Sequence, residues 1–230
     1  MEVKLLAHTP DPDMVCAAAA FTSWKKKTTR ELFEELSRQE ALDFLKMVMG
    51  FGHMSVTEHA SFTFSISGVS RALTHQLVRH RLASYTQQSQ RYVRFNENEI
   101  RYVTPPTIES DREAKEIFTE AMASSANAYQ RLLKKGIPPE DARFVLPNAA
   151  TTNIVVTMNA RELMHFIRLR TCERTQWELR EVATEMLRQL KKVAPVLFSD
   201  GGPGCVTGPC PEGKLTCGKI KEVRKKFREL

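Results

Sequence analysis

The stretch Ser61-Phe62-Thr63-Phe64-Ser65-Ile66-Ser67 alternates strictly between apolar and hydroxyl side chains. This period of two predicts a half-buried strand, with Phe62, Phe64 and Ile66 on one face and the polar side chains on the other. Gly68 follows directly and is expected to break the strand. One face of this strand should therefore enter the hydrophobic core.

A helix predicted after this strand leads into an unusually polar segment. Ser70 can cap the helix, and its last turn would place Gln76, Arg79 and His80 at i, i+3 and i+4 on one face. The segment 79–91 then continues as a loop and reads RHRLASYTQQSQR. Arginine forks match phosphate oxygens, while serine hydroxyls and glutamine amides add neutral donors and acceptors. The segment is therefore predicted to hold an anion together with a polar group beside it.

Further elements extend outward from this centre. Asp13 can cap an Ala-rich helix, and residues 37–40 form a capping-box pattern before a helix that ends at Gly50 and Gly52. Helices are also predicted over about 108–135, after Asn159 and over about 175–192, and a second strand over 151–158. Strands mixed with many helices, without a βαβ rhythm, predict an α+β fold in which antiparallel strands pack with several helices.

Composition bounds the class of protein. The chain has 230 residues, of which 42% are hydrophobic, which suits one domain over residues 1–198 and a Gly/Pro/Cys-rich, basic C-terminal tail over 199–230. Apolar runs are too short to span a bilayer and the N-terminus lacks a signal pattern, so we expect a cytoplasmic protein without a membrane partner. The net charge of +7 favours anionic partners, either polymeric or small. Five cysteines, an odd number, predict mostly reduced thiols.

Read as RHRxxSxxxxSxR, the segment 79–91 resembles the signature of the flavin-dependent thymidylate synthases, and the resemblance extends over about residues 52–178. It implies a single-domain α+β fold and reductive methylation of deoxyuridylate (dUMP) to thymidylate (dTMP). It also implies tightly bound FAD that delivers the hydride, 5,10-methylenetetrahydrofolate as carbon donor and NADPH as reductant. Family members are homotetramers with sites between subunits, and they need no cysteine nucleophile. Their substrates are small molecules, so no nucleic acid is expected as a partner.

The resemblance assigns residues to two sets. The predicted flavin set is Ser55, Arg79, His80, Arg81, Gln87, Asn159, Ala160, Arg161 and His165. The predicted nucleotide set is Gln76, Leu77, Val78, Arg79, Gln87, Gln88, Ser89, Gln90, Arg91, Arg143 and Arg170. Arg170 is the predicted catalytic residue, because its cation would polarise the pyrimidine and favour ionisation at N3. Gln87 stands where many relatives have glutamate, so a negative charge is missing beside two phosphorylated ligands.

Several other readings stay open at this point. The segment 52–59 could bind a metal through His53, Glu58 and His59, but this order has no established ligand spacing, and we favour a flavin contact and no metal. Cys172 could act as a nucleophile, although no neighbouring base is evident. As an alternative function, residues 79–94 could bind RNA or single-stranded DNA, with Tyr85, Tyr92 and Phe95 stacking on bases.

The tail carries a further open question. Cys205, Cys210 and Cys217 form a Cx4Cx6C array, and three thiols would need a fourth ligand from elsewhere to make a structural zinc site. The expected alternative is a loosely ordered, reduced tail.

Overall fold

The strands form a four-stranded antiparallel sheet that is combined with helices, which confirms the predicted α+β class. The computed structural model describes residues 1–35, 37–95 and 100–230. The strands lie in the order β1-β2-β4-β3. Their bounds are β1 (Glu2–His8), β2 (Ser61–Ser70), β3 (Ala83–Gln87) and β4 (Thr151–Asn159). The two central strands are the two that the sequence predicted, and the two edge strands were missed.

Ten helices occur among the described residues, and none of them is long and apolar enough to cross a membrane. They are α1 (Pro12–Thr22), α2 (Thr29–Glu35), α3 (Arg38–Gly50), α4 (Arg71–Leu77), α5 (Pro106–Glu109), α6 (Arg112–Lys134), α7 (Pro139–Ala142), α8 (Ala160–Arg170), α9 (Trp177–Val193) and α10 (Ile220–Arg228). Short 3₁₀ turns are formed by Met54–His59, Arg143–Val145 and Gly213–Leu215.

Three predicted helix caps are confirmed and one is wrong. Ser37 accepts the backbone amide of Glu40 before α3, and Ser70 accepts that of Leu73 at 3.0 Å before α4. Asn159 accepts the amide of Glu162 at 2.9 Å before α8. Asp13 lies inside α1, and its carboxylate instead accepts the backbone amides of residues 196 and 197 at 3.0 and 3.1 Å. A buried carboxylate that receives two amides ties α1 to the segment after α9, which a local capping pattern could not reveal.

The segment 79–91 differs from its predicted layout. Helix α4 ends at Leu77, so Arg79 and His80 follow the helix and do not lie on its last turn. Residues 83–87 form strand β3 where a loop was expected. Polar side chains occupy both faces of this short edge strand, so hydrophobic alternation could not identify it.

Gly68 does not end strand β2, which runs on to Ser70. Its φ of +69° is a conformation that glycine adopts without a steric cost. Gly68 is therefore an irregular residue within a continuous strand, and the predicted break was wrong.

By its internal contacts the chain divides into two compact units. The first unit comprises Met1–Glu2, Ile66–Arg79 and Thr86–Val155, and the second comprises Val3–Ser65, His80–Tyr85 and Val156–Leu230. Residues 199–230 belong to the second unit together with residues that precede them. The predicted domain boundary after residue 198 stays a prediction.

The second unit has an apolar core made largely by α8 and α9. Its buried side chains include Leu163, Phe166, Ile167, Leu179, Val182, Met186, Leu187 and Leu190. The C-terminal residues join this core, since Phe227 of α10 is 2% exposed and its carbonyl accepts from Lys191 at 2.9 Å. Arg224 donates to the carbonyls of Cys205 and Gly208, each at 2.8 Å. The tail is therefore folded, and the expectation of loose order was wrong.

The first unit is built around α6. Tyr129 of this helix is fully buried. Ser125, one turn earlier, donates to the carbonyl of Val145 at 2.6 Å, and Tyr102 donates to the carbonyl of Met122 at 3.1 Å. The Ser125–Val145 hydrogen bond joins α6 to the short helical region 139–145, which carries Arg143.

Candidate functional site

The predicted site residues are divided between the two compact units. Arg79 and Thr86–Arg91 belong to the first unit, and His80–Tyr85 belong to the second. The other predicted nucleotide residues lie in the first unit, except Arg170. The other predicted flavin residues lie in the second unit. The structure therefore gathers each predicted set largely within one unit.

His80 is the centre of a polar group in the second unit, the imidazole cluster, made of His80, Glu162, His165 and Arg170. Nδ1 of His80 lies 3.3 Å from Oε1 of Glu162, and Nε of Arg170 lies 3.0 Å from Nε2 of His80. The ring also contacts Phe166 edge to face at 5.0 Å and the His165 ring at 5.8 Å. His80 and Glu162 are buried, at 5% and 7% exposure.

The hydrogen bonds determine the protonation of His80. Nε of arginine is always a donor, so Nε2 of His80 must accept and the proton must sit on Nδ1. Glu162 is then the acceptor for Nδ1–H. Burial, followed by the charges of Arg170 and His165, lowers the pKa of His80 to about 4, which agrees with a neutral ring at pH 7. Burial also raises the pKa of Glu162. The contact is therefore a hydrogen bond of a neutral imidazole and not an ion pair.

Other predicted flavin residues surround the start of α8. The amide of Ala160 donates to the carbonyl of Ala60 at 2.8 Å, and Arg161 pairs with Glu58 of the 3₁₀ turn. Ser55 on the same turn is exposed, as are Arg81, Arg161 and His165. The turn and α8 pack against each other, which brings the segment 52–59 to the predicted flavin residues of α8.

In the first unit, three arginines surround Glu140 and Gln90, and we call them the arginine cluster: Arg71, Arg91 and Arg143. Nε of Arg91 donates to the Glu140 carboxylate at 3.0 Å, and Nε of Arg143 donates to the Glu140 carbonyl at 3.0 Å. Arg71 donates to Oε1 of Gln90 at 3.1 Å. Burial, and then the nearby charge of Arg143, lower the pKa of Arg71. Such a concentration of guanidinium groups suits a phosphate ligand.

Gln87 uses its amide as a donor. Its Nε2 lies 3.0 Å from Oγ1 of Thr74 and 3.3 Å from Oγ1 of Thr152. The NH₂ group thus bridges α4 and β4 within the first unit. A glutamate at this position would need both hydroxyls to donate, so the glutamine is consistent with the local hydrogen bonding.

Among the described residues, a large cavity lies in each unit. In the first unit a cavity of about 700 Å³ is bordered by Gln88, Arg94 and Arg101 together with the start of β4. In the second unit a cavity of about 720 Å³ is lined by Met54, Met164 and the residues 196–204. Gln88 alone among the predicted site residues lines either cavity in the described part of the chain. The other predicted residues are not part of the lining of these two cavities.

Four cysteines converge in the second unit. Cys172, Cys205, Cys210 and Cys217 line one small cavity of about 130 Å³, and all four thiols are free. Burial raises the pKa of Cys205, and the other three thiols add to this shift. In the described ranges, no group of three or more His, Cys, Asp or Glu is arranged to hold a metal ion. Cys172 thus belongs with the tail cysteines, and none of the predicted site residues lines that cavity.

Sequence reasoning missed Glu162, Arg71 and Glu140. Glu162 is the third residue of α8, a position where glutamate commonly supports a cap, and this pattern hid its contact with His80. Arg71 directly follows the capping Ser70. A basic residue so close in sequence to segment 79–91 was a local signal that could have identified it. Glu140 gave no local signal, because an acidic residue in a first helical turn is ordinary.

Comparison with known proteins identifies the family. Residues 4–196 match the family model described as thymidylate synthase complementing protein. A flavin-dependent thymidylate synthase of Geobacter sulfurreducens is 55% identical over 100% of this chain and 99% of its own. The enzyme of the same name from Clostridium tetani is 48% identical over 98% and 96% of the two chains, and that from Pyrococcus abyssi 45% over 100% and 98%. This chain therefore belongs to the flavin-dependent thymidylate synthases, a family of enzymes.

Proposed function

We propose that this enzyme converts deoxyuridylate to thymidylate, with FAD as cofactor, 5,10-methylenetetrahydrofolate as carbon donor and NADPH as reductant. The observation that carries the proposal is the full-length match to enzymes named for this activity, at up to 55% identity. The chain also keeps the complete RHRxxSxxxxSxR segment at 79–91.

The arginine cluster is proposed to bind the phosphate of deoxyuridylate. Both Arg91 and Arg143 contact Glu140. Arg91 donates to its carboxylate, and Arg143 donates to its backbone carbonyl. The Arg91–Glu140 pair is about half exposed on each side, so a phosphate can replace the carboxylate at little cost. Ser89, whose hydroxyl accepts the amide of Arg91 at 3.2 Å, would lie next to the bound phosphate.

The donor chemistry of the second unit fits a flavin. The exposed hydroxyl of Ser55, the guanidinium of Arg161 and the imidazole of His165 supply neutral and cationic donors, which suit the carbonyl oxygens and phosphates of FAD. Arg81 adds a further exposed cation. When bound, FAD would take a hydride from NADPH and deliver it to the one-carbon unit at C5 of the pyrimidine.

Arg170 is proposed to act on the pyrimidine. Its guanidinium stays cationic at every working pH and would stabilise negative charge that develops on the ring as N3 loses its proton. The neutral His80 accepts from Nε and so fixes the plane of the guanidinium. The cation is therefore oriented before the substrate arrives, which is the requirement for electrostatic stabilisation of a transition state.

The resemblance further supports a homotetramer whose active sites combine residues of more than one subunit. Light scattering coupled to size-exclusion chromatography tests this directly. The expected mass is four times 26.2 kDa. A monomer that is fully active would contradict the shared site.

The reaction is tested by omission. Purified protein is mixed anaerobically with deoxyuridylate, methylenetetrahydrofolate, FAD and NADPH, and thymidylate is measured by mass spectrometry. Thymidylate is expected in the complete mixture and should be lost when the nucleotide, the folate or the reductant is left out. A flavin-loaded protein that forms no thymidylate in the complete mixture would contradict the proposal.

The nucleic-acid alternative receives little support from the structure. Tyr85, one of the residues expected to stack on bases, donates its hydroxyl to the carbonyl of His80 at 2.8 Å and is partly buried. Tyr92 is exposed, but one exposed ring does not make a stacking platform.

A further inference from the structure

Glu162 is a buried carboxylate that the sequence did not single out. It is 7% exposed and lies in the first turn of α8, where its backbone amide is already used by the Asn159 cap. Its side chain does not return to the cap, and its Oε1 faces Nδ1 of His80. Burying a carboxylate is costly unless it gains a specific partner, so this placement calls for a role.

Glu162 and Arg170 stand near opposite ends of one helix, about 12 Å apart along its axis. Helical side chains point toward the N-terminus, so Arg170 reaches back toward Glu162. The imidazole of His80 lies between them and contacts one residue with each nitrogen. A single ring thereby connects a carboxylate in the first turn to a guanidinium at the helix end.

The direction of these hydrogen bonds determines which nitrogen of His80 carries the proton. If Glu162 did not accept from Nδ1–H, the Nδ1–H tautomer would leave a buried donor without an acceptor, and the Nε2–H tautomer would face the Nε–H of Arg170 with a second donor. Acceptance by Glu162 therefore removes the cost of the one tautomer that Arg170 requires. The lowered pKa of His80 keeps the ring neutral, as this arrangement demands.

Other groups face the same ring. The ring centroids of His165 and Phe166 lie 5.8 and 5.0 Å from that of His80, and Phe166 has no polar atom to offer. Tyr85 donates to the backbone carbonyl of His80. Glu162 supplies the carboxylate that faces Nδ1.

We propose that Glu162 is a positioning residue for thymidylate formation, which holds His80 in the Nδ1–H tautomer so that His80 can orient Arg170. The proposal rests on the proposed function, because Arg170 acts on the pyrimidine only if that function holds. Glu162 itself touches no reacting atom.

Three substitutions separate positioning from simple packing. Glu162→Leu removes the acceptor, and Glu162→Asp keeps the charge but withdraws the acceptor by one methylene. Glu162→Gln keeps an acceptor oxygen without the charge. Glu173→Gln serves as control, since Glu173 pairs with Arg180 in the same unit at 3.1 Å.

The first readout is kinetic, at saturating FAD and deoxyuridylate. Glu162→Leu and Glu162→Asp are expected to lower kcat by about 10- to 100-fold, the usual effect of losing a partner that orients an active-site group. Glu162→Gln and the control should stay within about threefold of the parent enzyme, because the acceptor is retained. A loss of turnover in Glu162→Gln with near-normal turnover in Glu162→Asp would show that the charge matters and would overturn the positioning role.

The second readout is the tautomer of His80, from ¹⁵N shifts of histidine-labelled protein with His80→Gln used for assignment. The parent and Glu162→Gln should show a fixed Nδ1–H, and Glu162→Asp a mixture of tautomers. If Glu162→Leu does not fold, the Asp and Gln variants still decide the matter. An unchanged tautomer and kcat in Glu162→Asp and Glu162→Leu would overturn the proposal.

Failure of the proposed function would look different. A parent enzyme that makes no thymidylate overturns the function, and with it any role of Glu162 in that reaction. A parent enzyme that makes thymidylate, with Glu162 variants that match it, overturns the positioning role alone.

Discussion

The imidazole cluster and the arginine cluster both carry predicted site residues, but they are built in opposite ways. His80 and Glu162 are 5% and 7% exposed and are held by directed hydrogen bonds. The Arg91–Glu140 pair leaves 53% and 47% of its side chains exposed. Buried polar networks are rigid, whereas exposed ion pairs are weak and exchange partners easily. We therefore expect the imidazole cluster to set catalytic geometry and the arginine cluster to capture substrate.

The largest effect should come from Arg170→Ala, which breaks the imidazole cluster at its cationic end. Loss of a charge-assisted contact that strengthens in the transition state costs about 2 to 4 kcal/mol, or roughly 30- to 1000-fold in rate. FAD should remain bound. The measurement is kcat at saturating substrate, with the exposed Arg188→Ala of α9 as control. Near-normal turnover in Arg170→Ala would remove Arg170 from the mechanism.

Arg91→Ala breaks the arginine cluster and should act on binding. We expect the Kd for deoxyuridylate to rise by roughly 10- to 100-fold, the loss of one charged hydrogen bond, with little change for FAD. Arg79→Ala should weaken both ligands, because Arg79 belongs to both predicted sets. Titrations of each variant with each ligand test this, with the exposed Arg112→Ala as control. Equal loss of FAD affinity in the Arg79 and Arg91 variants would contradict the division.

Acid should lower the free energy of unfolding through the buried His80 of the imidazole cluster. His80 has a folded-state pKa of about 4, below its unfolded value of about 6.5, so the unfolded chain binds the extra proton between these values. Stability from the neutral ring is therefore present above pH 6.5 and is lost as the pH falls. Each pH unit below 6.5 costs about 1.4 kcal/mol, or about 2 kcal/mol at pH 5.

Denaturant unfolding at pH 7 and pH 5 checks this sign. The advantage of the parent over His80→Asn should shrink on acidification, since the variant has no imidazole to protonate. Comparing the two proteins cancels the opposing effect of Glu162 and other carboxylates to first order. An advantage that grows at pH 5 would contradict a neutral, buried His80.

The smallest effect on activity is expected from the tail cysteines. Changing Cys205, Cys210 and Cys217 to serine should leave FAD binding and turnover intact. Stability should fall by about 1 to 3 kcal/mol because a hydroxyl replaces the buried Cys205 thiol. Purified protein should hold no stoichiometric zinc. One zinc per chain, lost in both Cys172→Ser and the triple variant but kept in Cys16→Ser, would contradict this and make the four-thiol cavity a metal site.

Local patterns predicted the elements whose signal is local. The alternation of 61–67 identified a central strand, and the Ser37 and Asn159 caps marked the starts of α3 and α8. Edge strand β3 was missed because its inward face carries Gln87, and a polar residue there has no apolar periodicity to display. Residues 83–87 form a strand because they pair with β4, and the sequence of one segment alone does not show such pairing.

The candidate site shows the same limit. Resemblance supplied the residues of segment 79–91, but not their partners in space. Glu162 is 82 residues from His80 along the chain, and Cys172 is 33 residues from Cys205. Contacts at such separations are set by tertiary packing, so only the folded chain shows that a neutral His80 links Glu162 to Arg170 or that four thiols share one cavity.

If this chain is a flavin enzyme, the chromophore that it binds can be released and identified. Protein purified without added flavin, or reconstituted with it, is denatured and the released compound is identified by chromatography and mass. A flavin enzyme should be yellow and release FAD in stoichiometric amount. A colourless protein that cannot be reconstituted with FAD, but binds oligonucleotides with a steep dependence on salt, would contradict this expectation.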